Sequence, residues 1–65
     1  MRLLRLPEVQ KATALSRSSI YRLMEAGTFP DSIQLSARSI AWVEEEVQNW
    51  IQQRIDERES SSASI

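Results

Sequence analysis

Apolar residues recur at helical spacing early in the chain, at Ile20, Leu23 and Met24. Positions three and four residues apart lie on one side of a helix, so these side chains predict a buried stripe. Ser16 is suited to cap this helix at its start, because a serine hydroxyl can accept a hydrogen bond from a free backbone N–H. Gly27 can adopt the left-handed conformation that commonly follows the last helical turn. The pattern therefore predicts a short helix between these two residues.

The residues just before this helix predict another one over residues 7–14. Pro7 suits the first position of a helix, where its missing N–H removes no helical hydrogen bond. Only two or three residues around Leu15 connect the two predicted helices, which is the arrangement of a helix-turn-helix. A short lead-in over residues 1–6 precedes them. The predicted core contacts of this region are Leu4, Leu6, Val9, Ala12 and Leu15.

Beyond Pro30 the apolar pattern changes from helical spacing to the two-residue alternation that is typical of β-strands. Residues 32–35 and 40–43 are predicted to form two short strands, joined by residues 36–39 with Arg38 near the tip. This small hairpin is a candidate wing beside the helix-turn-helix. The side chains predicted to face the core are Ile33, Leu35, Ile40 and Trp42.

The last predicted helix covers residues 44–57, and its serine-rich continuation over residues 59–65 is predicted to be disordered. Residues 1–58 therefore form the single predicted domain. Glutamates 44–46 occupy the first turn, where the helix dipole favours anions, and their different directions prevent them from converging on one metal ion. The residues that recur at helical spacing are Val43, Val47, Trp50, Ile51, Arg54 and Ile55. We predict that both tryptophans belong to the core.

The net charge of −1 conceals two parts of opposite charge. Residues 1–43 contain six basic and three acidic residues, a net charge of +3. Residues 44–65 contain two basic and six acidic residues, a net charge of −4. Such asymmetry is typical of a basic binding face backed by an acidic helix, with ordinary scatter of surface charge as the alternative. The basic part includes the predicted helix-turn-helix and wing.

The composition excludes several functional classes. The chain has 65 residues, enough for one domain, and contains neither cysteine nor histidine. Disulfides, thiolate metal sites and a histidine general base are therefore excluded. A single glycine rules out a glycine-rich phosphate loop. No apolar run approaches the roughly 20 residues that cross a membrane, so we predict a non-enzymatic, cytoplasmic protein without metal or cofactor.

Several segments of the chain match one known pattern. They are residues 3–6 with Glu8 and Val9, residues 15–22, residues 29–30, Arg38, Trp42, residues 46–47 and residues 50–51. Together they resemble the AlpA family of small phage and prophage DNA-binding regulators, which are related to excisionases and to the DNA-binding domains of MerR-type regulators. The resemblance covers residues 1–58.

The resemblance implies a mainly α winged helix-turn-helix with a small β-hairpin, as in MerR-like and excisionase-like proteins. It implies that the second helix enters the DNA major groove and that the wing contacts the backbone or the minor groove. The implied DNA-binding residues are Arg17, Ser18, Ser19, Tyr21, Arg22 and Arg38. We expect additional contacts to the DNA backbone from Arg2, Arg5 and Lys11. The chain departs from many members at Gln34, where they carry a basic residue, and at Ser36, where they carry glycine.

Each of these residues also has a structural alternative. Arg17 and Arg22 are predicted to pair with guanine, to hold a phosphate, or to be solvated. Ser18 and Ser19 either contact phosphate or start the helix. Tyr21 either contacts DNA or packs as a half-buried ring on the first helix. Arg38 either contacts DNA or pairs with a nearby carboxylate.

The predicted function is sequence-specific binding of double-stranded DNA by a phage-related transcriptional regulator. One domain of this kind buries only about 600–1,000 Å² on DNA, so we expect a dimer or cooperative assembly through the last helix. Integrase and RNA polymerase are the expected protein partners. Two alternatives stay open: an excisionase-type recombination directionality factor, and a protein-interaction module that acts through residues 47–55.

Overall fold

The computed structural model describes residues 1–63. Its elements, in chain order, are β1 (Leu3–Leu4), α1 (Leu6–Thr13), α2 (Arg17–Glu25), β2 (Ile33–Ser36), β3 (Ser39–Val43) and α3 (Glu44–Ala63). The three helices and the antiparallel hairpin of β2 and β3 confirm the predicted fold class, a mainly α chain compatible with a winged helix-turn-helix. No helix in this part of the chain is long and apolar enough to cross a membrane.

β3 is the central strand of a three-stranded antiparallel sheet with the order β1-β3-β2. In β1, Leu3 lies opposite Val43 and Leu4 lies opposite Trp42. The sequence pattern did not predict this strand, because two residues are too few to show an alternation. One further backbone hydrogen bond of 2.8 Å, from the N–H at position 44 to the carbonyl at position 2, ties the chain start to the first turn of α3.

The core lies between the helices and one face of the sheet. Its largest fully buried side chains are Val9 of α1, Ile20 of α2, Trp42 of β3 and Val47 of α3. Leu15, which connects α1 and α2, packs against this cluster as predicted. Since all three helices and the central strand meet in one core, packing determines how α2 sits relative to the hairpin.

The two apolar side chains of β2 do not face this core, so their prediction was wrong. Ile33 and Leu35 are 41% and 50% exposed. Ile33 lies opposite Ala41, and directly opposed residues of an antiparallel pair point to the same face of the sheet. Because Ala41 precedes Trp42, the two point to opposite faces. Ile33 therefore lies on the outer face of the sheet, away from the buried indole.

Ala37 and Arg38 form the turn between β2 and β3, which confirms the predicted hairpin. Within the described chain, neither residue has a positive φ. Two-residue hairpin turns that match the twist of their strands require positive φ, usually from glycine or asparagine. The pairing shifts by one residue between Gln34 and Ser36, which is a β-bulge. This bulge accommodates the turn and displaces Leu35 from the expected alternation.

Both ends of the helical prediction for α1 need correction. α1 begins at Leu6, with Pro7 in its second position rather than its first, and ends at Thr13 rather than at Ala14. Ala12 is exposed, whereas it was predicted to face the core. The inward side of α1 is instead formed by Leu6, Val9 and Thr13, which are partly or fully buried. At about 100° per residue, these three positions lie within about 60° of one another, whereas Ala12 lies a further 60° or so beyond Val9.

α3 is longer than its prediction, which ended near residue 57. It continues to Ala63, so residues 59–63 of the predicted disordered tail are helical, and residues 64–65 lie outside the described residues. The sequence has no proline or glycine after residue 30 that would stop the helix. Side-chain bonds from Gln52 to Asp56 and from Arg54 to Glu57 support the middle of the helix.

Ala14 turns the chain between α1 and α2 with φ 60° and ψ 19°. This left-handed conformation costs a residue with a Cβ roughly 1–2 kcal/mol, part of which glycine recovers. We expect Ala14→Gly to raise the free energy of unfolding by about 0.5–1 kcal/mol, measured by urea denaturation. The matched control is Ala12→Gly inside α1, which should lower it by about 1 kcal/mol. Destabilisation of similar size by both substitutions would contradict this interpretation.

Candidate nucleic-acid interface

α2 is held at both ends by local hydrogen bonds. At its start, the Ser16 hydroxyl oxygen accepts from the backbone N–H of Ser19 at 3.2 Å, as the sequence predicted. At its end, Gly27 adopts φ 77° and donates its N–H to the carbonyl of Met24, while the N–H of Thr28 bonds to the carbonyl of Leu23. These last two bonds form a Schellman motif. These hydrogen bonds fix both ends of α2.

One side of α2 is embedded in the core. Ile20 is fully buried, and Leu23 and Met24 are partly buried against the same cluster. The opposite side carries the predicted DNA-binding side chains, of which Arg17, Ser18 and Arg22 are exposed and Tyr21 is partly buried. The structure thus brings four of the six predicted residues together on one open face. We call this set, together with Glu25, the open face of α2.

α3 anchors the segment that follows α2. The indole N–H of Trp50 donates to the carbonyl of Thr28 at 2.7 Å. Its ring meets the Phe29 ring edge-on, with centroids 4.9 Å apart. Trp50 is partly buried and Trp42 fully buried, so both tryptophans serve the core, as predicted. This contact fixes the end of α2 against the acidic helix and keeps the open face directed outward.

Arg17 and Tyr21 contact each other within the open face. The guanidinium carbon of Arg17 lies 5.5 Å from the centre of the Tyr21 ring, one helical turn further along. A cation over an aromatic ring is attracted by the ring's quadrupole, by about 0.5–1 kcal/mol at an exposed site. The contact restricts the long arginine side chain and so reduces the entropy lost when it meets a ligand.

The two serines of the first turn have different surroundings. The Ser16 hydroxyl donates to the hydroxyl oxygen of Ser19 at 3.0 Å, and Ser19 is partly buried. Ser18 is exposed and makes no side-chain hydrogen bond among the residues that the structure describes. Ser19 is therefore part of the helix cap, whereas Ser18 presents its hydroxyl and the start of α2 to solvent.

Three of the remaining predicted cations are exposed and lie outside α2. Arg38 lies in the turn of the wing, Lys11 lies in the last turn of α1, and Arg5 precedes α1. None of their side chains forms an ion pair within the part of the chain that the structure describes. The alternative in which Arg38 pairs with a carboxylate is therefore absent from this structure.

Arg2, a predicted contact to the DNA backbone, is also exposed but forms ion pairs within the protein. Its guanidinium bonds to Glu8 at 2.9 Å and to Glu44 at 3.2 Å. Glu8 also accepts the backbone N–H of Arg5 at 3.0 Å, which stabilises the start of α1. This cluster joins β1, α1 and α3 and leaves the charge of Arg2 largely compensated. These ion pairs form because folding brings β1, α1 and the start of α3 together, which the sequence alone did not show.

Glu25 is the one member of the open face that the sequence analysis missed. It is exposed and follows Ser18 by seven residues, Tyr21 by four and Arg22 by three. That spacing places all four side chains on one stripe of α2. The spacing is visible in the sequence, but a carboxylate is not a group that the phosphates of DNA attract. Among the residues that the structure describes, no group of three potential ligands could hold a metal ion.

Comparison with known proteins finds one family over most of the chain. The family model described as "Prophage CP4-57 regulatory protein (AlpA)" matches residues 2–55. This range includes both strands of the wing, the two helices of the helix-turn-helix and the first half of α3.

Two relatives illustrate the similarity. "Uncharacterized protein ORF88" of Enterobacteria phage P4 is 44% identical over 54 residues, which cover 83% of this chain and 61% of the phage protein. The chain thus spans about three-fifths of that protein's length. "DNA-binding transcriptional activator AlpA" of Escherichia coli (strain K12) is 35% identical, over 83% of this chain and 86% of AlpA.

Proposed function

The chain belongs to the AlpA family of prophage regulatory proteins, and from this premise we propose that it binds specific double-stranded DNA and regulates transcription. In this proposal α2 enters the major groove with its open face toward the bases. The wing, β2 and β3 with their turn, contacts the DNA backbone or the minor groove. Occupancy of a promoter then recruits or excludes RNA polymerase.

The observation that carries the proposal is the open face of α2 itself. Arg17 and Arg22 expose two guanidinium groups on a helix that is capped at both ends and packed on an apolar base. Neither forms an ion pair in the described part of the chain. An α-helix fits the major groove, where a guanidinium pairs with guanine or holds a phosphate.

The charge distribution supports the same orientation. The exposed cations Lys11, Arg17, Arg22 and Arg38 all precede α3, while glutamates 44–46 lie in the first turn of α3. DNA attracts the first group and repels the second. We therefore place α3 away from the duplex, where its outer face is open to a second copy, an integrase or a polymerase. Such assembly compensates for the small contact area of one domain.

The proposal is tested by binding the purified protein to tiled duplex fragments from its own gene neighbourhood, in mobility-shift assays at two salt concentrations. We expect one or a few fragments to shift. The logarithm of the binding constant should fall with the logarithm of the salt concentration at a slope near −0.9 for each of about four to six phosphate contacts. If no fragment shifts even at low salt, the DNA proposal fails, and residues 47–55 become the surface to test against proteins.

Arg38 at the wing turn is proposed to contact a phosphate or the minor groove. We expect Arg38→Ala to weaken binding to the preferred fragment by about tenfold, or about 1.4 kcal/mol, and to reduce the salt slope by about one phosphate. Arg58→Ala removes the same charge from the exposed surface of α3 and is the matched control. Equal weakening by both variants would show that only net charge matters and would remove the wing from the interface.

A further inference from the structure

We infer that Glu25 determines the DNA sequence preference of α2, by accepting a hydrogen bond from the N4 amino group of a cytosine in the major groove. The inference rests on the proposed function and adds a specificity-determining residue to it. A carboxylate on a surface that faces a polyanion needs an explanation, because phosphate repels it. Three observations supply that explanation.

First, Glu25 shares the stripe of the cations rather than lying on a separate side of α2. Its spacing from Ser18, Tyr21 and Arg22 places it on the same face, and it is exposed. It is also the only acidic residue between Glu8 and Asp31 in the sequence. A surface that approaches DNA with the two arginines therefore brings this carboxylate with it.

Second, no stabilising contact within the described residues accounts for Glu25. The carboxylates of Glu8, Glu44 and Glu57 each bond to an arginine. Within the described residues, no ion pair or side-chain hydrogen bond engages Glu25, although Arg22 lies one turn earlier. Its place in the last helical turn is also unfavourable, since the helix dipole disfavours an anion there.

Third, the length of α2 limits where the carboxylate can lie. Nine helical residues span about 13–14 Å, close to the roughly 12 Å width of the major groove. Arg17 at one end of the helix can meet the phosphates of one groove wall. Phosphates repel Glu25 at the other end, and we therefore place this carboxylate over the base edges. Amino groups are the donors there, and a glutamate accepts from the N4 amino group of cytosine.

The test is selection from a random duplex library with the full chain and two variants. Glu25→Gln removes the charge at the open face, whereas Glu45→Gln removes the same charge from an exposed position in the first turn of α3. We expect the unchanged protein to select a motif that contains a cytosine. Glu25→Gln should reduce the preference for that cytosine about tenfold, and Glu45→Gln should leave it intact.

The outcomes separate this inference from the proposed function. If the unchanged protein enriches no motif, the proposed DNA binding itself fails. If it enriches a motif that Glu25→Gln leaves unchanged, or if Glu45→Gln alters the motif equally, the role of Glu25 is overturned while DNA binding stands. Loss of a preference for a base other than cytosine would overturn the cytosine assignment. Binding of Glu25→Gln to unrelated duplex should also increase more than that of Glu45→Gln.

Discussion

Replacement of both arginines of the open face, Arg17→Ala with Arg22→Ala, should weaken binding to the preferred DNA fragment by about 100-fold or more. A good arginine contact to a base is worth about 1–3 kcal/mol, and each 1.4 kcal/mol corresponds to a factor of ten. Removal of a base contact made by one arginine and a base or phosphate contact made by the other therefore leaves little specific binding. The loss should appear in mobility-shift titrations of the double variant against the fragment that the unchanged protein prefers.

The matched control is Arg54→Ala with Arg58→Ala, which removes the same total charge from exposed positions of α3. Arg54 bonds to Glu57, and its guanidinium carbon lies over the Trp50 ring, 5.4 Å from the ring centre. This control therefore also tests the contact of Trp50 with the segment after α2. Its DNA affinity should change by less than about threefold at moderate salt, where separated surface charges are screened. Similar losses in both double variants, with circular dichroism showing the control still folded, would show that α2 has no greater role in DNA binding than α3.

Trp42→Ala should unfold the chain at room temperature. The indole is 0% exposed and lies on the central strand, within the same core cluster as buried side chains of all three helices. Truncation of a buried tryptophan costs about 3–5 kcal/mol, and a single core in a domain this small rarely supplies more than about 3–5 kcal/mol. Circular dichroism should show the loss of helix, and urea denaturation should show no cooperative transition.

Two further variants test whether the expected loss of stability depends on the buried position of Trp42 or follows from removing any large apolar side chain. Trp42→Phe keeps most of the ring and removes the indole N–H, which has no hydrogen-bond partner within the described residues. We expect it to stay folded, with a change below about 1.5 kcal/mol. Leu35→Ala, at a side chain that is half exposed, should change stability by less than about 0.5 kcal/mol. A folded Trp42→Ala variant would contradict this account of the core.

The helix-turn-helix could be predicted from the sequence because its signals are local. Ser16 caps α2, Gly27 ends it, and the aliphatic stripe between them needs no tertiary information. The same is true of the connection at Leu15. The start of α3 was equally clear from its three glutamates and the spacing of Val47 and the later apolar residues.

The errors arise where long-range packing decides the structure. Strand alternation alone does not say which face of β2 is covered, and the bulge that displaces Leu35 depends on the turn. β1 forms because the backbone of residues 3–4 pairs with the free edge of β3. The pairing of Arg2 with Glu8 and Glu44 likewise joins residues that are up to 42 positions apart.

The predicted DNA contacts remain predictions, and the structure places only some of these residues on one exposed face. The open face gathers Arg17, Ser18, Tyr21 and Arg22, while Ser19 is used by the helix cap. Residue types pointed to these positions, because cations and hydroxyls are the groups that bind phosphates and bases. Glu25 escaped notice for the same reason, although its spacing placed it on the same face.

The central claim is that the open face of α2 and the wing turn contact DNA while α3 does not. The most direct measurement is a titration of isotope-labelled protein with the preferred duplex, followed by NMR amide shifts of every described residue. We predict the largest shifts at residues 16–25 and 37–39, with small shifts over residues 44–59. Large shifts confined to α3, with residues 16–25 unchanged, would contradict the account.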